Sequence, residues 1–168
     1  MPTTFTKIAS VTVGSGGASS IDFTSIPSTY TDLCIKLSTR TTRTGATLDT
    51  LNVIFNSNIS GYTYKELFGS GSAAGSAGSA SNRFGYTSAT GSTSNTFGSA
   101  DLYIPNYAGS NNKSASGDSV AENNATEAYS MLSALLWSNT AAITSISINC
   151  LTTFVQYSTA TLYGIKNS

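Results

Sequence analysis

The strongest constraint on how this chain folds is a two-residue alternation of apolar and polar side chains, repeated in short runs. Side chains point alternately to the two faces of a β-strand, so this period predicts strands with one buried face. The runs are rich in β-branched and aromatic residues, which strands favour. The residues predicted to face inward are Leu33, Ile35, Leu37, Leu51, Val53, Phe55, Ile146 and Ile148.

Turn signals rich in Gly, Asn and Ser separate these runs about every 8–15 residues, as in an all-β sandwich or barrel. A protein of alternating strands and helices would need long helical connections instead. Residues 123–138 have a helix-favouring composition, but the alternation within them favours a strand after a short turn. We therefore predict a single all-β domain over residues 1–168. It is a two-sheet antiparallel β-sandwich of roughly nine to eleven strands, expected to be a jelly roll.

A stretch built only from Gly, Ala and Ser, residues 69–81, interrupts the alternation. This composition is typical of a flexible coil, so we predict a long Gly/Ala/Ser-rich loop between two strands. Shortening such a loop changes its closure entropy by less than about 1 kcal/mol. Removal of part of residues 72–80 is therefore expected to leave the monomer folded. The loop is interpreted either as an exposed connection without a task or as part of a subunit contact.

Charge is scarce and balanced in this chain. Lys and Arg number eight, Asp and Glu number eight, and together they make up 10% of the residues, against about 25% in an ordinary soluble domain. A protein that binds nucleic acid or an anionic membrane usually has an excess of basic residues, so neither partner is expected. No apolar run approaches the ~20 residues of a membrane span, and the first residues lack a secretory signal pattern. Low net charge favours close packing of identical copies.

The amino-acid composition argues against an enzyme. The sequence contains no His, which excludes Ser-His-Asp and Cys-His arrangements and most catalytic zinc sites. Cys34 and Cys150 lie in strand-like runs and are interpreted as small buried thiols, with a disulfide as the open alternative. Residues 118–127 gather acidic and Asn side chains; we interpret them as a solvated loop rather than a weak Ca²⁺ site. No catalytic residue, cofactor or metal is predicted.

A pair of facing carboxylates, as in a glycosidase, is the one catalytic arrangement that the composition leaves open. Such a pair needs a cleft between the two groups, which a sequence does not reveal. The carboxylates are Asp22, Asp32, Asp49, Glu66, Asp101, Asp118, Glu122 and Glu127. Their scatter along the chain makes this alternative the weaker interpretation.

Tyrosine is the most frequent aromatic residue, with nine Tyr against one Trp in the sequence. Its apolar ring and polar hydroxyl suit protein interfaces and sugar binding. The predicted contact residues near loop ends are Tyr62, Tyr64, Tyr103, Pro105 and Tyr107. Pro105 separates Tyr103 from Tyr107 and is expected to hold both rings rigidly at the surface. The alternative is that most tyrosines close the ends of the sandwich.

Several segments carry a resemblance to a known family. They are IASVTVGSGGASSIDFTSIPSTYTDL, YKELFGSGS, LYIPNYAGSNNKS, DSVAENNAT and QYSTATLYGIK. Together they resemble small β-sandwich proteins encoded by tailed bacteriophages, especially aquatic phages, and the resemblance covers nearly the whole chain. It implies a virion surface protein of jelly-roll type and supplies no catalytic residues.

The resemblance implies a structural protein of the virion, first of all a capsid decoration (cement) protein that stabilises the head surface. Its partners would be copies of itself and the major capsid protein or another virion protein. A homotrimer is expected, because local three-fold positions of a capsid lattice suit three-fold partners. The alternative is a tail-tip or fibre module that binds host glycans through exposed tyrosines. In either case the chain is made in the host cytoplasm and functions at the virion surface.

Overall fold

The computed structural model describes residues 4–124 and 128–166, and the regular structure in these ranges is strand. No helix among them is long and apolar enough to cross a membrane. The strands are β1 (Phe5–Thr12), β2 (Ala18–Phe23), β3 (Asp32–Thr39), β4 (Leu48–Phe55), β5 (Tyr62–Gly69), β6 (Ala74–Ser79), β7 (Arg83–Ser88), β8 (Gly98–Ile104), β9 (Lys113–Ala121), β10 (Tyr129–Trp137), β11 (Ile146–Phe154) and β12 (Thr159–Ile165).

The strands form two antiparallel sheets. The larger sheet has eight strands in the order β1-β12-β3-β8-β9-β10-β5-β6, and the smaller has four in the order β2-β11-β4-β7. The prediction of an all-β, two-sheet antiparallel sandwich is confirmed. The described residues form twelve strands rather than the nine to eleven predicted, because Ala74–Ser79 is a strand where a loop was expected. The jelly-roll type stays a prediction at this point.

The core lies between the sheets and is built from the alternating residues. All eight residues predicted to face inward are buried, and Leu37 is the most exposed of them at 5%. The ambiguous stretch before residue 138 forms strand β10, in which Met131, Leu135 and Trp137 point into the core. A shift of one residue in any of these strands would expose its whole apolar set, so the alternation fixes the register.

The smaller sheet approaches the larger one closely at its edge strand, β7. Gly117 of β9 lies so near this strand that an added Cβ would come within 2.5 Å of the Phe84 carbonyl oxygen. The Ser133 hydroxyl of β10 donates a hydrogen bond to the same oxygen at 2.8 Å. The Ser119 hydroxyl of β9 accepts the N–H of Tyr86 at 3.1 Å. Because the side chains here are small, the backbone of β7 forms hydrogen bonds with side chains of the facing sheet. Large side chains would hold the two layers further apart.

The Gly/Ala/Ser stretch is not a flexible loop, and that prediction is wrong. Its central part is β6, the outer strand of a hairpin with β5. Large side chains of β5 cover β6: a Cβ at Gly75 would lie 2.7 Å from the Phe68 ring, and one at Gly78 would lie 2.5 Å from the Lys65 side chain. Strand glycines covered by a neighbour's large side chain are a known way to hold an edge strand. Among the described strands, β6 is the edge strand of its sheet and pairs with β5. That removal of part of residues 72–80 leaves the monomer folded stays a prediction.

The close approach of β7 predicts that Gly117→Ala destabilises the protein. The new methyl group would collide with the Phe84 carbonyl oxygen, which is backbone and cannot rotate away. We expect the free energy of unfolding to fall by about 1–3 kcal/mol, the usual cost of overpacking a core. Urea unfolding followed by tryptophan fluorescence measures this change.

The matched control is Gly14→Ala, where an added Cβ has no atom within 4 Å. Its effect should stay within about 0.5 kcal/mol. Equal stability of the Gly117→Ala variant and the control would contradict the direct contact between β7 and β9.

Candidate functional site

Three of the predicted contact residues are buried rather than exposed. Tyr62, Tyr64 and Tyr107 have exposed fractions of 5%, 6% and 0%. Tyr62 stacks on Trp137 with ring centroids 6.0 Å apart, and its hydroxyl accepts the N–H of Phe55 at 2.8 Å. The expectation that these three tyrosines form a contact surface is therefore wrong. The physical reason is that Tyr62 and Tyr64 lie on the inward face of β5.

The other two candidates lie outside the core, Tyr103 on the outer face of β8 and Pro105 in the turn that follows this strand. Tyr103 is 37% exposed and Pro105 is exposed. The Tyr103 hydroxyl donates to the Asp32 carboxylate at 2.6 Å, and the same carboxylate accepts the N–H of Asn106 at 2.9 Å. Asp32 thus ties this turn to the start of β3. Tyr107 turns inward and donates to a backbone carbonyl, so Pro105 does not present two rings to solvent.

The Tyr103–Asp32 hydrogen bond has a pH-dependent consequence. It is the largest cause that raises the pKa of Tyr103 from 10.0 to about 12. A raised pKa means that the contribution to stability is complete below pH 10 and is lost as the pH rises from about 10 to about 12. Tyr103→Phe should lower the free energy of unfolding at pH 7 by about 0.5–1 kcal/mol, since the bond is partly exposed.

The measurement is chemical unfolding at several pH values between neutral and strongly alkaline. The difference in unfolding free energy between wild type and the Tyr103→Phe variant should shrink as the pH rises through the raised pKa, because wild type then loses the hydrogen bond. Tyr157→Phe, at a more exposed tyrosine, is the control and should follow the wild-type curve. A constant deficit of the Tyr103→Phe variant at every pH would contradict the role given to Asp32.

Two buried carboxylates, Glu66 and Asp49, make polar contacts within the fold. Glu66 of β5 pairs with Arg83 of β7 at 2.7 Å, which links the two sheets. The Arg83 guanidinium also lies over the rings of Tyr64 and Tyr86, 4.6 Å and 5.0 Å from their centroids. Asp49 is fully buried and accepts the backbone N–H of its neighbouring residue at 2.8 Å. The Glu66–Arg83 pairing was not predictable from the sequence, because it joins strands of two different sheets.

Both cysteines are free thiols, so Cys34 and Cys150 do not form a disulfide. Burial raises the pKa of Cys34, and it raises the pKa of Cys150 to about 11. A protonated thiol is a poor nucleophile. Within residues 4–124 and 128–166, no group of His, Cys, Asp or Glu side chains is arranged to bind a metal ion.

The acidic stretch is only partly a loop. Asp118 and the residues up to Ala121 belong to β9, so the interpretation of 118–127 as one solvated loop is wrong for its first part. Strand pairing with β8 and β10 accounts for their extended conformation. Residues 125–127 lie outside the described residues.

Several exposed apolar side chains lie on the outer face of the larger sheet. Leu67 of β5 and Leu132 of β10 are direct cross-strand partners, yet they are 64% and 60% exposed. They line a groove of about 600 Å³ together with Ala134 and the side chains of Lys65 and Ser76. Leu136 and Val120 lie on the same face at 37% and 41% exposure. We call Leu67, Val120, Leu132, Ala134 and Leu136 the outer patch.

The sequence analysis missed the outer patch, although a signal was present. Leu67 lies on the strand face opposite Tyr64 and Glu66, and Leu132 lies opposite Met131. Strands with large apolar residues on both faces are unusual when one face is exposed to water. Large exposed apolar patches mark sites of protein contact.

No family model, curated protein or solved structure matches the chain.

Proposed function

We propose that this chain is a structural protein of a tailed-bacteriophage virion, a decoration protein that stabilises the head surface. The observation that carries the proposal is the outer patch. Leu67 and Leu132 are mostly exposed and adjacent, in a groove of about 600 Å³ on a β-sheet face. A patch of this kind is a contact surface for another protein.

The strand order supports the proposal. Without the hairpins β5–β6 and β9–β10, two four-stranded sheets remain, with the orders β1-β12-β3-β8 and β2-β11-β4-β7. We infer that these eight strands are a jelly roll and that the two hairpins widen one of its sheets. Jelly rolls are frequent in viral capsid proteins and lectins, so this supports a virion role without specifying it.

The surface chemistry also favours assembly. The formal net charge is zero and only 10% of the residues are charged, so identical copies repel one another little at close range. Contacts made through the outer patch would be mainly apolar, and salt screening weakens interactions between charges rather than apolar contacts. We therefore expect the protein to stay bound to particles in high salt.

The glycan-binding alternative loses part of its support, and Tyr103 and Tyr157 are the tyrosines that stay exposed for it among the large exposed side chains. It depended on exposed tyrosines at loop ends, and Tyr62, Tyr64 and Tyr107 are buried. A tail-tip location is one of the outcomes of the experiment below, because the number of copies of the protein per particle distinguishes a head protein from a tail protein.

The test is quantitative mass spectrometry of purified phage particles before and after a wash in about 1 M salt, where screening reaches ~3 Å. We expect copies in the hundreds per particle, retained after the wash, because a closed lattice repeats its positions. A few copies per particle would move the protein to the tail. Its absence from particles would overturn the proposal.

A matched pair of variants tests the contact surface in the same particles. Leu67→Ser with Leu132→Ser should reduce incorporation by about tenfold or more, since a contact centre carries most of the binding energy. Leu151→Ser is the control, because Leu151 is 62% exposed on the smaller sheet. Equal loss of both variants would contradict a role for the outer patch in assembly.

A further inference from the structure

We propose that the outer patch binds a second copy of this chain, with two outer patches packed face to face about a two-fold axis. Lys65 of each copy would then lie against the partner's Asp118. The inference rests on the outer patch being a protein contact surface, as the proposed function has it, and does not depend on the virion.

The centre of the contact is the Leu67–Leu132 pair. Of the large apolar side chains exposed in the described residues, these two are direct cross-strand partners. The groove beside them is about 600 Å³ in volume and is lined mainly by β5, β6, β9 and β10. β6 contributes only small side chains to it, so a second surface can approach closely.

Two charged groups flank this centre without an ion-pair partner in the described part of the chain. Lys65 of β5 and Asp118 of β9 are both exposed, and neither takes part in a salt bridge there. Asp118 lies directly opposite Asp101 in the sheet. Like charges in this position are destabilising. The nearby cation, Lys36, pairs with Asp101 and also attracts Asp118, so two carboxylates share one positive charge there.

The two flanking charges lie on opposite sides of the apolar centre. β10 separates β5 from β9 in the sheet, and Lys65 lies two residues from Leu67 along β5. A two-fold axis in the plane of the patch, running past Leu67 and Leu132, exchanges the two flanks. It brings the four leucines of two copies together and places each Lys65 opposite the partner's Asp118. The strands of the two copies then cross steeply, as in orthogonal packing of sheets.

The area is sufficient for a dimer. Four strands are about 19 Å wide, and seven residues of strand are about 24 Å long. Two such flat faces of roughly 450 Å² each bury about 900 Å² in total, and the relief of the side chains brings this to the ~1,000 Å² that a specific interface needs. An interface in which both copies use the same surface closes as a dimer, whereas a trimer needs two different surfaces on each copy. The self-complementary charges therefore favour a dimer over the trimer expected from the resemblance.

The experiment is sedimentation equilibrium of the purified full-length chain over a range of concentrations. Wild type should be a dimer. Lys65→Glu and Asp118→Lys should each weaken dimerisation by roughly tenfold or more, since each places like charges opposite one another twice. The double variant carrying both reversals should return to within about threefold of wild type, because the pair is restored with its charges exchanged.

The control is Lys7→Glu, an equivalent charge reversal on exposed β1 at the far edge of the same sheet, which should leave dimerisation unchanged. All four substitution sets change exposed side chains, and circular dichroism verifies their fold. A monomeric wild type, a trimer, or a double variant as weak as the single ones would overturn the proposal. If wild type is a monomer in solution and the Leu67→Ser/Leu132→Ser variant is lost from particles, the outer patch binds another virion protein instead. Virion location itself is decided separately by the copy number.

Discussion

The direct contact between the edge strand β7 and the facing strands β9 and β10 holds the wider sheet in place. β5 and β6 continue the larger sheet beyond the four strands of the smaller one. The Phe84 carbonyl oxygen accepts the Ser133 hydroxyl at 2.8 Å, and Gly117 leaves room for it. Beyond this contact, the Glu66–Arg83 ion pair links β5 to β7. Without these links, β9, β10, β5 and β6 would form a sheet with little cover on its inner face.

The width of the larger sheet also creates the surface that we assign to assembly. A sheet that faces a core on one side usually places polar residues on the other. The outer faces of β5 and β10 depart from this rule at Leu67 and Leu132. Their exposure costs free energy in water, which a protein partner would recover. The charges at Lys65 and Asp118 then restrict which partner fits, because a second surface has to match both signs at once.

How much could be predicted from the sequence differs between the strands and the site. The inward residues of β3, β4 and β11 were predictable, because side-chain alternation is a local property of an extended chain. β6 was not, because a strand of Gly, Ala and Ser has no alternation to detect. Its conformation depends on Phe68 and Lys65 of the adjacent strand. The burial of Tyr62 and Tyr64 was likewise undetermined, since alternation says which residues share a face and not which face meets the core.

By itself, the sequence determined the all-β class, the register of the main core strands and the low charge of the surface. These follow from local periodicity and composition, which do not depend on contacts between residues distant in the chain. The tertiary structure alone decided which strands are neighbours. It therefore placed Asp118 opposite Asp101, Leu67 beside Leu132, and Glu66 within reach of Arg83. These are pairings between residues distant along the chain, and only the order of strands in the folded sheets brings them together.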